Sequence, residues 1–348
     1  MQTKFIVLLF LLYISTGIVN AQIKDTSSIV CEKGGCCCGN DPTPAGVMIS
    51  HVHLKNEWMI SYRYMSMNMS GINHGADAAN QSEVLQNYTG SPNLMQMRMH
   101  MLMAMYGVSN KLTVMAMFNY TSDYMEMTMP MGKEYHRHSM MTSGIGDTKL
   151  YALYALKKTM LSQLLLNAGI NLPTGIINLK GPIGAAMYSN QRYPYAMQLG
   201  SGTVDILPGL TYLTQKNKLT FSTQVQGIIR IGFNNNGYKL GNEVTVNGWG
   251  AWQWLSVISS TLRLEGNLST KISGKDKSFD TYQEPSANPS NYGGKRLTAY
   301  IGTTFQPKRS FLKKNRLSIE YGLPFYQNLN GYQMTINNSL YFAWSLTF

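Results

Sequence analysis

Apolar and polar residues alternate along most of this chain with a period of two. That period places successive side chains on opposite faces of a β-strand, so each segment predicts a strand with one apolar and one polar face. About twelve such segments follow residue 56. They cover residues 57–70, 92–107, 111–127, 147–157, 162–173, 203–215, 218–232, 244–256, 259–272, 295–306, 315–327 and 332–348.

The connections between these segments alternate in length. Outer-membrane barrels have short periplasmic turns and longer outer loops. We therefore predict an all-β fold, a single transmembrane antiparallel β-barrel of about 12 strands, with both barrel ends on the periplasmic side. Short turns are predicted near 107–110, 157–161, 215–218, 256–259 and 306–316, and longer loops at 71–88, 128–143, 174–194, 234–242, 273–295 and 328–331.

Both ends of the sequence favour export to the outer membrane of a Gram-negative bacterium. Lys4, a short apolar run and a small-residue end at Ala21 are typical of a cleaved signal peptide. The last predicted strand closes on Phe348, which is typical of outer-membrane barrels. The predicted organisation is a signal peptide at 1–21, a Cys/Gly-rich periplasmic tail or lumen plug at 22–56, and the barrel at 57–348.

The net charge of +12 changes this picture little. Basic residues crowd the predicted short turns, as at Lys157, Lys158 and Arg316, where lipid headgroups are the expected partners. A basic surface often indicates nucleic acid binding, but an exported barrel does not meet nucleic acid, so none is expected. The oligomeric state is left open.

The most unusual feature is methionine. The chain has 24, of which 19 lie between Met48 and Met141, mostly at every second residue. An arginine facing lipid would cost about 2–4 kcal/mol, so Arg63 and the methionines that share its face should point into the lumen. In the strand 92–107 the other face carries Arg98 and His100, and there the opposite orientation stays open.

Thioethers and thiolates are soft ligands that favour Cu(I) and similar ions over hard cations. We therefore predict a site for Cu(I) or Ag(I) as ligand or substrate, with no cofactor required. The alternatives are packing for the methionines, which fill irregular cores well, and local disulfides for the cysteines. The candidate ligands are Met65, Met67, Met69, Met95, Met97, Met99, Met125, Met127, Met129, Met131, His136, His138, Cys31, Cys36, Cys37, Cys38, His51 and His53.

Two stretches carry a resemblance to a known family. Residues 46–65, from Gly46 through His51 and His53 to Met65, and residues 195–209, with Gly200-Ser201-Gly202 at their centre, resemble a family of outer-membrane transporters. The family is named for a MetA pathway of phenol degradation, and the chain is most similar to its methionine-rich, copper-associated branch. The resemblance implies a channel and no catalytic residues.

The sequence is compatible with three functions. The first is a channel or binder for soft metal ions, most of all copper, working with a periplasmic metal-handling partner. The alternative is a channel for small apolar or aromatic compounds, in which methionine lines an adaptable passage. The third is a structural subunit of an outer-membrane complex that transports nothing. An enzyme is not expected, because no motif singles out a nucleophile with its base.

Overall fold

The structure, a computed structural model, describes residues 42–131, 134–159, 161–183, 186–308 and 312–348. The predicted signal peptide and all four cysteines lie outside these residues. Eleven strand elements form one sheet that closes on itself, because the last pairs with the first. In chain order they are β1 (Trp58–Gly75), β3 (Ser91–Ser109), β4 (Leu112–Met131), β6 (Thr148–Lys158), β7 (Ser162–Leu172), β10 (Val204–Lys216), β11 (Leu219–Ile231), β13 (Glu243–Leu255), β14 (Ile258–Ser269), β16 (Gly294–Phe305) and β17 (Asn315–Thr347).

The last element, β17, crosses the barrel wall twice. Its first half pairs antiparallel with β16 as far as Leu329, and its second half pairs antiparallel with β1 up to Thr347. Gly331, with φ of +61°, lies at the turn between the halves. A ring of eleven antiparallel elements can close only if one of them reverses, so the described chain passes the wall twelve times. The predicted strand number and antiparallel barrel therefore agree closely with the structure.

Several predicted loops contain regular structure. The loop predicted at 128–143 is largely a strand, which continues the edge of β4, and the loop at 174–194 holds a hairpin. The connection at 328–331, predicted as a loop, is the tight turn within β17. The remaining elements of the described residues are β2 (Asp77–Ala79), β5 (Glu134–Ile145), β8 (Lys180–Ile183), β9 (Ala186–Arg192), β12 (Tyr238–Lys239), β15 (Ser273–Gly274), the helix α1 (Gln81–Asn87) and three short 3-10 helices, Tyr195–Met197, Pro285–Ala287 and Pro289–Asn291.

The barrel is apolar outside and mixed inside. In β14, Leu262 and Leu264 are well exposed on the outer face, whereas Arg263 between them is only 1% exposed. Leu102, Phe118 and comparable residues repeat this outward pattern around the ring. An apolar belt on this scale would be costly in water and is the outer surface expected of a membrane barrel. Among the described residues, no helix is long and apolar enough to span a bilayer.

The segment before β1 enters the barrel. Residues 42–57, named the plug below, pack Val47, Ile49 and Val52 into the interior with almost no exposure. Arg63 of β1 donates to the carbonyl oxygens of Ala45 and Val47, both at 2.7 Å. Gly46 N donates to Glu320 at 2.8 Å, and Gln224 donates to the Ile49 carbonyl. The plug is thus held mainly through its backbone.

Candidate functional site

One side of the lumen is built from methionine. The inward-facing residues of β1, β3 and β4 form this side, named the methionine wall. Met103, Met105, Met115 and Met117 are buried, whereas the alternating residues such as Phe118 face outward. The predicted lumen-facing orientation is therefore confirmed for these strands.

The orientation left open for β3 is now settled. His100 is exposed on the outer surface, where its Nδ1 lies 2.8 Å from the Tyr62 hydroxyl and its ring packs against Tyr64 and Tyr120. Arg98 is exposed on the same outer face. The methionines of β3 therefore face the lumen, and the alternative with Arg98 and His100 inside is wrong.

Strand register brings the thioethers into rows. Met65 pairs with Met99, Met67 with Met97 and Met69 with Met95 across β1 and β3. Directly opposed residues in antiparallel strands have Cβ atoms about 4.5–5.5 Å apart. Six of the ten predicted methionine ligands thus lie in adjacent pairs across β1 and β3, which the alternation of single strands could not have shown.

The methionine wall is packed at both of its ends. At the end with the short turns, Ile49 and Val52 of the plug join Met101, Met103 and Met117 in one cluster. At the end with the long loops, the hairpin β8–β9 and the following residues cover Met95, Met125 and Met127 with Ile183, Tyr193 and Met197. Methionine fills such irregular contacts well because it is unbranched and flexible.

The facing side of the lumen, the polar wall, comes from β13, β14, β16 and β17. Arg263 is its centre: its guanidinium lies 2.9 Å from Glu320, 2.6 Å from Glu265 and 2.8 Å from Asn247. The same group stacks 3.7 Å from the centroid of the Tyr300 ring. A charge buried this deeply is tolerated because it is paired and hydrogen-bonded on every side.

A second polar network links β6, β7, β10 and β11. Asn171 donates to Asp147 at 2.9 Å and to Asp205 at 2.7 Å. Ser201 donates to Asp147 at 2.7 Å, and Arg230 is ion-paired with Asp205. Asp147 also accepts from the backbone of the loop that precedes β10, so this network fixes that loop inside the lumen.

Two cavities lie between the walls. The turn-end cavity, of about 220 Å³, is lined by Met65 and Met99 on one side and by Asn247 and Glu265 on the other. The loop-end cavity, of about 340 Å³, is lined by Met69, Met95, Met97 and Met125 and, opposite, by Glu243, Asn267 and Arg296. Met97 lines the loop-end cavity, and the next inward residue of β3, Met99, lines the turn-end cavity. Asn267 and Glu265 are related in the same way on β14. The cavities therefore stack along the barrel axis, about 7 Å apart at their facing edges.

The other predicted ligands lie apart from these rows or outside the described residues. His136 is exposed and pairs in register with Met129, while His138 pairs with Met127. Met131 ends β4, and its side chain is outside the described part, as are Cys31, Cys36, Cys37 and Cys38. In the described residues, no three His, Cys, Asp or Glu side chains converge in a metal-binding group.

His51 and His53 belong to the plug, at the turn end of the barrel. Their rings lie 4.8 Å apart, and His53 Nδ1 lies 3.1 Å from Glu57 Oε2. The hydrogen bond from His53 lowers the pKa of Glu57 below its usual value. His53 N donates to Thr113 at the start of β4. The structure therefore does not place these histidines with the loop-end methionines.

The loops above the polar wall form an aromatic lid. Tyr195 packs edge-on against Tyr238, Phe279 and Tyr292, with ring centroids 4.6–5.8 Å apart. Glu284 is buried beside them, and burial raises its pKa to about 7. Its Oε2 atom has no hydrogen-bond partner among the described residues.

The sequence prediction missed the polar wall and one residue of the methionine wall. Arg263, Glu265 and Glu320 alternate with apolar residues inside predicted strands, and this parity could have placed them in the lumen. Asp123 has the same parity as the methionines of β4, and this parity likewise indicates that it faces the lumen. Pairings such as Arg263 with Glu320, 57 residues apart, carry no local signal.

The fold is similar to that of an outer-membrane channel of known structure. An outer-membrane channel from Pseudomonas putida F1 is 13% identical to this chain with a TM-score of 0.58, and the match covers 86% of this chain and 97% of that one. The toluene transporter TodX of P. putida is 8% identical with a TM-score of 0.44, covering 85% and 91%. A mutant of TodX, described as a monoaromatic hydrocarbon channel, is 10% identical with a TM-score of 0.47, covering 86% and 92%.

No family model and no curated protein matches this sequence. The resemblance to the MetA-pathway family therefore stays a prediction. The closed barrel with its apolar outer belt and its likeness to an outer-membrane channel confirm the predicted location, the outer membrane of a Gram-negative bacterium. Outer-membrane lipid is accordingly the partner of the exposed belt.

Proposed function

We propose that this protein is an outer-membrane channel for small, largely apolar compounds, aromatic ones included. The observation that carries the proposal is the stack of two cavities with a continuous thioether surface along one side. A compound that moves from Met95 and Met97 to Met65 and Met99 keeps contact with sulfur and methylene groups throughout. Such a surface adapts to rings and chains of different shape because methionine rotates freely.

The polar wall lines the other side of both cavities. Glu243 and Arg296 line the loop-end cavity, and Glu265 lines the turn-end cavity. Small-molecule sites combine a mostly apolar surface with a few polar groups that fix orientation. We therefore expect substrates that are apolar over most of their surface and carry at most one or two polar groups.

The direction of the passage follows from loop lengths. Long loops of outer-membrane barrels face outward and short turns face the periplasm. The aromatic lid then covers the outer mouth, and the plug occupies the periplasmic end. Passage requires at least one of these segments to move. Movement of the plug would have to break its hydrogen bonds to the barrel, such as those from Arg63 to the carbonyl oxygens of Ala45 and Val47.

Uptake by intact cells tests this function, because the lipopolysaccharide leaflet excludes apolar compounds that would cross a simple bilayer. The rate of radiolabelled naphthalene entry is measured in a Gram-negative host with and without the chain. We expect a several-fold faster entry with the chain, and no change for radiolabelled sucrose. Equal naphthalene entry in both strains would reject the proposal.

A matched pair of variants tests the methionine wall itself. Met97→Gln with Met99→Gln places polar amides along the passage and should return naphthalene entry towards the level of cells without the chain. Met97→Leu with Met99→Leu keeps the apolar surface and should retain most of the entry rate. Equal rates in the two pairs would show that the compound does not pass along this wall.

A channel or binder for copper or silver is the second candidate, because five thioethers line the loop-end cavity, those of Met69, Met95, Met97, Met125 and Met334. A copper function would also imply a periplasmic metal-handling partner and membership of the copper-associated branch of the family. Deleting the gene and measuring copper tolerance and cell copper content tests it. Unchanged tolerance and content would leave the methionines with a role in packing and apolar passage. A role without catalysis fits either kind of channel.

A further inference from the structure

Asp123 is a carboxylate placed among thioethers. It lies on the inward face of β4, is 1% exposed, and its Oδ1 atom has no hydrogen-bond partner among the described residues. In the strand register it lies opposite Met97 on one side and Thr142 on the other. The next inward residue of the same strand is Met125, flanked by Met95 and Met140.

The surroundings of Asp123 contain other unpartnered polar atoms. Thr142 Oγ1 and His138 Nε2 are both buried and have no hydrogen-bond partner in the described part of the chain. Thr142 faces Asp123 directly, and His138 lies opposite Met127, two inward positions further towards the loops. Leaving one buried polar group unsatisfied costs about 1–3 kcal/mol, and more when it is charged. Asp123 Oδ1 and Thr142 Oγ1 are two such atoms at directly opposed positions, where both are available to a ligand.

Packing alone does not account for an aspartate here. Neighbouring inward positions of β4 hold methionine or threonine, which fill the same wall at lower cost. Elsewhere in the lumen the buried carboxylates Asp147, Asp205 and Glu320 accept hydrogen bonds from asparagine, serine or arginine. Asp123 differs from these because its register neighbours are Met97, whose sulfur donates no proton, and Thr142, whose Oγ1 makes no hydrogen bond among the described residues.

We propose that Asp123, together with Met97, Met125 and Met140, binds a soft monovalent cation such as Ag(I) or Cu(I). The carboxylate neutralises the single positive charge, and the thioethers select a soft ion. Calcium and magnesium require six or more oxygen ligands, which this patch does not offer. Thr142, directly opposite Asp123, is a further oxygen ligand beside the site. The loop residues Ile183, Tyr193 and Met197 cover this cluster and shield it from water.

This site adjoins the proposed passage, shares Met97 and Met125 with it, and deepens the second candidate function, a binder for copper or silver. Asp123 does not line either cavity, whereas Met97 and Met125 line the loop-end cavity and would link the two. Naphthalene entry and cation binding are separate measurements, so either proposal can fail without the other. If both hold, the bound cation would form part of the surface that substrates pass.

The test uses the full mature chain in detergent micelles, with Cys31, Cys36, Cys37 and Cys38 changed to serine to remove competing thiolates. Ag(I) is titrated against a competing chelator, and the retained silver is measured after dialysis. We expect a single equivalent to bind. Asp123→Asn, which keeps the shape and removes the charge, should weaken binding about tenfold or more, as should Met125→Leu. Met117→Leu, buried on the same face of the same strand, should leave binding unchanged.

Folding is checked by the shift in gel mobility on heating, and Met140→Leu replaces Asp123→Asn if that variant does not fold. X-ray absorption at the silver edge should show sulfur neighbours in the parent protein and fewer of them in Met125→Leu. The proposal is overturned if the parent binds no silver, if Asp123→Asn binds as the parent does, or if the silver has no sulfur neighbours. Calcium binding with the same dependence on Asp123 would equally overturn a site for soft ions.

Discussion

The two walls of the lumen fill the same space by different means. The methionine wall has flexible, uncharged side chains that pack on the plug at one end and on a loop at the other. The polar wall has charged groups locked by short hydrogen bonds, with Arg263 held by three partners and a tyrosine ring. The first surface can change shape at little cost, whereas the second cannot. A substrate that needs an adaptable path is therefore expected to follow the methionines.

The largest effect should come from breaking the polar wall. Arg263→Met removes the cation and leaves the buried Glu320 and the half-buried Glu265 without a compensating charge. Breaking a buried ion pair in this way costs about 3–5 kcal/mol of the free energy of unfolding. Urea unfolding of the protein in lipid vesicles, followed by tryptophan fluorescence, measures it. Because Glu320 also accepts from Gly46, the plug should loosen and raise the conductance in planar bilayers.

Two variants serve as controls for that loss. Arg98→Met removes an arginine from the outer surface and should change the stability by less than about 0.5 kcal/mol. Adding Glu320→Gln to Arg263→Met should recover part of the stability, since it removes the uncompensated charge. If Arg263→Met and Arg98→Met were equally mild, the polar wall would not be the rigid half of the lumen.

A pH-dependent effect of intermediate size is expected in the aromatic lid over the polar wall. Burial raises the pKa of Glu284 from 4.5 to about 7, so the lid favours the protonated carboxyl. Below pH 4.5 both the closed and the opened lid bind the proton, and the lid is most stable. Between 4.5 and about 7 the opened form releases the proton while the closed form keeps it, so stability falls as pH rises.

Hydrogen exchange of the peptides spanning residues 280–292 measures this, after correction for the intrinsic pH dependence of exchange. Protection should decrease from pH 5 to pH 7 in the parent protein and stay level in Glu284→Gln, which keeps the amide neutral throughout. A parent protein whose lid protection did not change over this range would show that Glu284 is not neutral in the closed lid.

The smallest effect is expected in the methionine wall. Met103→Leu conserves volume at a fully buried position and should cost less than about 1.5 kcal/mol. The same urea unfolding assay applies. Met103→Ala, which leaves a cavity, should cost about 2–5 kcal/mol and shows that the position is sensitive to volume rather than to sulfur. If Met103→Leu lowered the free energy of unfolding as much as Arg263→Met, the methionine wall would be no more adaptable than the polar wall.

The barrel could be predicted because each strand carries its own evidence. The alternation of apolar and polar residues from Trp58 to Met65 is recognisable without knowing which strand pairs with this one. The predicted strand ends agree with the structure within a few residues for most of the ring. The strand β5 was missed because His136, Arg137 and His138 lie beyond the apolar belt, where neither face needs to be apolar.

The candidate site was harder to predict because it depends on pairing between strands. The methionine face was visible from parity with Arg63, but the row of Met95, Met125 and Met140 exists only in the register of three strands. The plug was equally hidden. Arg63 and Gln224 bind backbone carbonyl oxygens of the plug, and a backbone carbonyl is present in every residue type. The sequence of the plug therefore does not indicate these contacts.

The seam between β1 and β17 has a consequence for assembly. Trp58 N donates to the Phe348 carbonyl, and Phe348 N donates to the Trp58 carbonyl, both at 2.9 Å, so the ring closes only when the first and last strands meet. The plug immediately precedes Trp58 and already contacts strands from across the ring. If the plug docks before the seam closes, it can serve as a template for the curvature of the sheet. The plug would then accelerate the pairing of β1 with β17, which has the greatest sequence separation in the barrel and is expected to be the slowest step of folding.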